Sequence, residues 1–566
     1  MRARLVALLA VSAAVLTGCA GGPGGSGAGP DSDGRGRPAG GTDLDPHPRD
    51  ALRDGGDLRL PLLALPNNFN YAQVDGTHID VATLSGAVLP ALFVGTADGG
   101  LRLNSDYLSA ASVTSTAPQV VTYTLDPRAT WTDGTPLTWR DLAAQWHAQG
   151  GSDPGYRTSA TTGYDRIASV AMGADERQAV VTFSAPFAEW QGLFSPLLPA
   201  SLTATPAAFN TAWRTGMPVT AGPFAVSRVD RVAQTVTLDR NSRWWGTPPK
   251  LDRMIFKAYD PAATPDALAN GELDLYRIGP NADLLRRAEQ TPGAAVRSAP
   301  SRLYTQLSFN GAAGAPLADL RLRRALAQSI DRALITRQVL GPVDPGARPS
   351  GNHIYVPGTP EYRDNSDALP YDPAAAERTL DEAGWTRTGA TRAQNGRPLT
   401  VRLVYGAAPT YRDIAAAIAH QLARIGVTAD LRQYPSNEIF PAVTSGNLDL
   451  ALFSWYATAS PLSGSTEIYG SPLGSPLDGK PDADARQNYG RVASPEIDAA
   501  FAEGNAELDA GRRAAIGNRI DRLISGEAHS VPLFAWPGAV AVRTELANFG
   551  ASGFADPDYV DAGFLR

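Results

Sequence analysis

The chain has 566 residues, 43% hydrophobic and 19% charged, with 50 basic against 57 acidic side chains and a formal charge of −7 at pH 7. This is the composition of a folded globular protein, and the length exceeds what one hydrophobic core usually serves, so two or more domains are expected. The acidic balance argues against nucleic acid as a partner, and a single cysteine excludes a disulfide framework and a cysteine-built zinc site.

In chain order, the first element is an export signal. Arg2 and Arg4 precede an apolar run from Leu5 to Leu16 that is too short to span a bilayer as a mature helix. The run ends Leu16-Thr17-Gly18-Cys19, which resembles the lipobox of bacterial lipoproteins. The resemblance implies cleavage after residue 18 and lipid attachment at Cys19, where a diacylglyceryl group suits a stable membrane tether. An ordinary secretory signal with an incidental cysteine, or a transmembrane start, is the alternative. Cleavage removes two arginines and no acid, which moves the formal charge from −7 to −9.

From Ala20 to Thr42 ten glycines and three prolines stand with scarcely an apolar side chain, so the stretch cannot bury enough surface to offset its ordering entropy. Residues 19–56 are expected to form a flexible tether with a reach on the order of 30 Å. Gly22–Gly27 formally matches GxGxxG, but no strand precedes it and no helix follows, so low complexity accounts for it.

The first half is rich in strand patterns, at 57–65, 119–125, 178–184, 234–240 and 253–259, where β-branched residues alternate or cluster between Gly, Pro and Asp breakers. From about residue 300 helices alternate with strands. Leu322, Leu326, Ile330 and Leu334 recur every four residues and predict one amphipathic helix that stops at Gly341-Pro342. Asp372 as N-cap, Pro373 at the first position and Gly384 at the stop delimit a second. Ile414, Ile418, Leu422 and Ile425 stripe a third, ending at Gly426 and followed by a strand in which Val427, Ala429 and Leu431 share a face. Further strands are expected at 400–406 and 448–456. Such alternation predicts a three-layer α/β domain.

The six histidines, at 47, 78, 147, 353, 420 and 529, show no HExxH and no i,i+4 pair, so no metal site is expected. No serine stands in GxSxG. The segment 474–481 comes near a P-loop, but Pro481 replaces the magnesium-binding Ser/Thr and no apolar strand leads in. No cofactor and no enzymatic activity are expected.

Several ordered segments carry a family resemblance. "TYTLDPRATWTDGTPLTWRDLAAQW" (122–146) resembles the W-x-D-G-x-P-x-T-x-x-D segment of the family 5 solute-binding proteins, which serve peptide and nickel ABC importers. Segments 221–246, 267–275, 308–335, 371–385 and 529–537 follow in the family's order, and the match covers nearly the whole chain from about residue 57. Within these segments Trp131, Arg240-Asn241 and Trp244-Trp245 read as packing and fold signatures rather than ligand contacts.

The resemblance implies an α/β, two-lobed flytrap of the periplasmic-binding-protein type, type II in its large form. Lobe I would take 57–302 and 532–566, with an inserted subdomain near 91–214, and lobe II 303–531. It implies a monomeric receptor on the outer face of the cytoplasmic membrane, lipid-anchored, that hands a small solute to ABC permease subunits. The implied pocket takes Asn68, Phe69 and Asn70 from the loop after the first strand, Tyr304 and Trp536 from the two crossings, and Trp455, Tyr456 and Thr458 from a loop in lobe II. For Phe69 and Trp455 the alternative is burial in the core.

Peptide receptors of the family typically place an Asp three residues after that Trp, to pair with a ligand ammonium. Here Thr458 takes the position, and a neutral hydroxyl cannot supply a charge-assisted bond. Two ligand readings therefore stand: an oligopeptide or similar polar solute for import, and a glycan or glycolipid of the envelope bound without uptake. Segments 97–108, 162–170 and 213–224 resemble actinobacterial members of the family, some of which act in envelope lipoglycan assembly.

Overall fold

Alternation over Asp57–Leu62 buries Leu58, Leu60 and Leu62 on one face. In the computed structural model, which describes residues 41–435, 438–472 and 487–566, this strand pairs in parallel with Arg253–Ala258. Two antiparallel strands, Thr235–Arg240 and Phe224–Asp230, complete the sheet. The signal, Cys19, the Gly-rich stretch to residue 40 and the segment 474–481 lie outside the described residues. Among the described residues no helix is long and apolar enough to cross a membrane.

A second antiparallel sheet lies within the segment expected as an insertion. It takes the order Leu108–Thr116, Gln119–Leu125, Gln178–Phe183 and Ile167–Met172. Its companion helix Trp139–Gln149 opens with a capping box, in which Thr138 and Asp141 satisfy each other's backbone donors. Trp131, Tyr123 and Phe194 from this region share one continuous core with Leu58 and Phe256 of the first sheet.

The later half is built on a five-stranded mixed sheet, ordered Thr428–Tyr434, Thr400–Gly406, Leu450–Tyr456, Leu303–Phe309 and Ser530–Ala535. Leu403, Leu450 and Leu452 face one apolar cluster, while Val404, Ala451 and Phe453 face another. Both faces are thus covered, as a sheet with parallel pairs requires. Helix Pro373–Glu382 is capped by Asp372, whose side chain accepts from the Ala375 amide, and Gly384 beyond it takes φ +85°. Helix Pro409–Arg424 runs into the edge strand through Gly426.

A three-stranded antiparallel sheet of Leu275–Arg277, Gly538–Arg543 and Ala294–Ala299 sits beside the crossings. The chain passes from this sheet to the five-stranded one between Ala299 and Leu303 and returns between Ala535 and Gly538. Two short strands of chain therefore join the two sheets, the arrangement of a hinge.

Three expectations are corrected. The return falls after Ala535 rather than at 532, because Ser530–Ala535 remains hydrogen-bonded to Leu303–Phe309 through Ala535. The fold begins by Asp43 rather than at 57: Asp43 pairs with Ala551, Leu52 is fully buried and bridges Leu565, and Asp45 binds Arg297 at 2.9 Å. The single helix expected to stop at Gly341 is two, Leu320–Gln328 and Arg332–Leu340. Asp331 interrupts it by capping the Leu334 amide at 2.8 Å, while its own amide goes to Gln421.

Candidate functional site

The loop after the first strand is braced by its own amides. Asn68 donates to Gln73 Oε1 at 3.2 Å and to the Asn210 carbonyl at 3.1 Å, and Asn70 donates to the Phe209 carbonyl at 2.8 Å. Phe69 between them is fully enclosed in the core of the first lobe. Asn68 and Asn70 are thus occupied by the loop and by the backbone at 209–210, and Phe69 by the core.

The crossings bring Tyr304 and Trp536 together. Tyr304 stands opposite Trp455 on the paired strands, packs with Val356 and Phe554, and places its hydroxyl 3.5 Å from that of Tyr469. Trp536 donates from Nε1 to Thr305 Oγ1 at 2.7 Å, and Thr305 bonds Ser454 Oγ at 2.8 Å, which also accepts from Tyr411 at 2.8 Å. The Trp536 ring lies so close over Gly279 that a Cβ there would come within 2.8 Å of it, so only glycine admits this approach.

Trp455 is half-buried and stacks on Tyr489, with centroids 5.6 Å apart and planes 6° from parallel. Its Nε1 is buried with no hydrogen-bond partner among the described residues. Tyr456 keeps 52% of its surface open, yet burial, and after it the charges of Arg302, Asp556 and Arg277, govern its phenol, which is held above its ordinary range. Thr458 donates from Oγ1 to the Ser460 carbonyl at 2.9 Å and accepts from the Ser460 amide at 3.2 Å, a turn that leads into helix Pro461–Tyr469.

The family model described as bacterial extracellular solute-binding proteins, family 5, middle, matches residues 107–475. The oligopeptide-binding protein OppA of Mycobacterium tuberculosis strain H37Rv is 43% identical over 560 residues, 98% of this chain and 93% of that protein. This chain belongs to family 5 of the bacterial extracellular solute-binding proteins. The probable monoacyl phosphatidylinositol tetramannoside-binding protein LpqW of the same strain is 30% identical over 311 residues, 51% of this chain and 47% of that protein. Among solved structures, the periplasmic EDTA-binding protein EppA superposes with a TM-score of 0.82 at 26% identity, over 93% of this chain and 98% of that one. The two-lobed fold of the family 5 proteins is therefore the fold of this chain.

In a family 5 protein the cleft between the lobes is the place to look for further side chains, and the structure supplies some that sequence reasoning missed. Tyr71, at the end of the loop after the first strand, has its phenol raised above the ordinary range by burial. Arg277, exposed at the end of its strand, acts on Tyr456, Tyr559 and Asp80 through space without an ion pair among the described residues. Asp556 is exposed as well, with Oδ2 accepting from the Gly95 amide at 2.7 Å. Arg277 lies two residues beyond the segment 267–275, whose pattern gives it no role; in the sheet it stands opposite Val540.

The buried histidines serve packing. His353 Nδ1 lies 2.6 Å from Asp521, and His529 is kept neutral by burial, which lowers its pKa to about 3. Among the described residues no three His, Cys, Asp or Glu side chains gather as a metal site would require.

Proposed function

We propose that this protein is a receptor that binds an oligopeptide or similar polar solute between its lobes and delivers it to the permease subunits of an ABC importer, held to the outer face of the membrane by lipid on Cys19. The observation that carries the reading is Trp455, which stands opposite Tyr304 beside the connections between the sheets and keeps a buried Nε1 with no hydrogen-bond partner among the described residues. A solute there touches both lobes only when they are closed, so binding selects the closed state.

The lining suits a molecule that carries its own hydrogen-bonding groups. Trp455 Nε1 is a buried donor that a peptide carbonyl would satisfy, and an unsatisfied donor of this kind is unfavourable by about 1–3 kcal/mol. The phenols supply flat apolar faces with a polar tip. Arg277 offers a free fork to a carboxylate. That OppA is named for oligopeptides and EppA for EDTA, a polycarboxylate, agrees with such a cleft.

Calorimetry with defined peptides of three to nine residues tests the reading, with thermal stability expected to rise by about RT ln(1 + [L]/Kd). Binding of a phosphatidylinositol mannoside in place of every peptide would favour the envelope reading, for which the partial match to LpqW speaks.

A further inference from the structure

Two glutamates reach across the lobes in opposite directions. Helix Pro461–Tyr469 of the second lobe has no side-chain cap from its own Ser460. Glu189 supplies one from the first lobe. Its Oε1 accepts from the Leu462 amide at 3.1 Å, and its Oε2 accepts from the Ser463 amide at 2.8 Å and the Ser463 hydroxyl at 2.7 Å. An anion at this end of a helix also meets the positive end of the dipole.

Further along the same helix Glu467, only 3% exposed, reaches back. Its Oε1 accepts from the amides of Thr161 and Thr162 at 3.2 and 2.9 Å and from the Thr162 hydroxyl at 2.5 Å, all on the first lobe. The Ala188 amide adds a bond to the Asn505 carbonyl at 2.7 Å. Both oxygens of Glu189 and Oε1 of Glu467 thus accept from the opposite lobe. A buried charge is tolerated only with such partners.

We propose that Glu189 and Glu467 are positioning residues that form a reciprocal latch between the lobes, hold the closed state and so set how long a bound solute stays. The latch rests on the flytrap reading but not on the identity of the solute. Its bonds exist only when the lobes are shut, so the closed state has a source of stability separate from the cleft, and opening must return six donors to water.

Amide hydrogen exchange on the full chain without solute tests the latch, with Glu189→Ala read at Thr161 and Thr162. Those amides are bound by Glu467 and not by Glu189, so a local cap lost at Leu462 and Ser463 leaves them unchanged, whereas a latch released lets the lobes open. Exchange at Thr161 and Thr162 is expected to rise about tenfold, with core amides of Leu303–Phe309 unaffected and Glu189→Gln, which keeps an acceptor oxygen, recovering part of the protection. Glu467→Ala gives the mirror experiment, read at Leu462 and Ser463. Faster exchange confined to the amides that each removed carboxylate itself binds overturns the proposal, and does so whether or not the protein binds peptide.

Discussion

Trp536 Nε1 donates to Thr305 Oγ1 at 2.7 Å, tying the returning crossing of the chain to the strand that leaves the outgoing one. The Trp536 amide bonds the Leu303 carbonyl at 2.8 Å beside it. The two connections between the sheets therefore move as one piece, and the ring above Gly279 fixes where that piece sits against the first lobe.

Trp536→Phe removes the side-chain bond and keeps most of the ring. The loss expected is about 1 kcal/mol of stability in chemical denaturation, the net value of one hydrogen bond. A smaller change in affinity for the solute should accompany it, because Tyr411 and Ser454, in the same chain of bonds, lose their fixed register.

Arg277→Ala should weaken binding of a peptide with a free C-terminal carboxylate by about 1.5–3 kcal/mol, the range for a hydrogen bond to a charged group. Arg277→Lys should recover only part, since an ammonium cannot match a carboxylate with a planar fork. The amidated form of the same peptide should bind wild type and Arg277→Ala alike. Titration calorimetry with the two peptides separates the outcomes; an equal loss for both would remove Arg277 from carboxylate recognition.

The pH dependence of stability should carry the mark of His529. Burial lowers its pKa from 6.5 to about 3, so the folded protein keeps it neutral while the unfolded chain takes up a proton. Its contribution is complete above 6.5 and is lost as pH falls from there toward about 3, with a slope of about 1.4 kcal/mol per unit. His529→Gln should flatten that part of the profile relative to wild type in denaturant titrations at pH 7, 6 and 5. Parallel profiles would show that the imidazole is not protected from protonation.

On the proposed anchoring by lipid on Cys19, Cys19→Ser should release the protein from membranes, because the acyl chains would be its hydrophobic attachment. Detergent phase partitioning reads this directly: wild type enters the detergent phase and the variant stays in the aqueous one. A variant that partitions with wild type would make the signal an ordinary one.

Where burial follows a simple period, the sequence was legible. Thr400–Gly406 and Gln119–Leu125 alternate or run apolar between clear breakers and form strands with those bounds, and Asp372-Pro373 marks a helix start by local chemistry alone. The stripe through Leu322 and Leu334 misled because Asp331 caps a new helix in mid-stripe, with its amide taken by Gln421 ninety residues away. Residues 43–56 look solvated, but their backbone pairs with a segment some 500 residues later. The family's crossings pointed to Tyr304 and Trp536, and both lie beside the connections between the sheets. The burial of Phe69 was not separable from a ligand role by residue type, and the proposed roles of Arg277, Glu189 and Glu467 rest on spatial surroundings that no spacing reveals.

Purifying the full chain from its native membrane and releasing whatever it holds for mass spectrometry shows whether the cleft binds an oligopeptide or similar polar solute. Peptides or similar polar molecules bearing a free carboxylate are expected, at one per protein and depleted in Arg277→Ala. A glycolipid recovered in their place, undiminished by Arg277→Ala, would contradict that expectation.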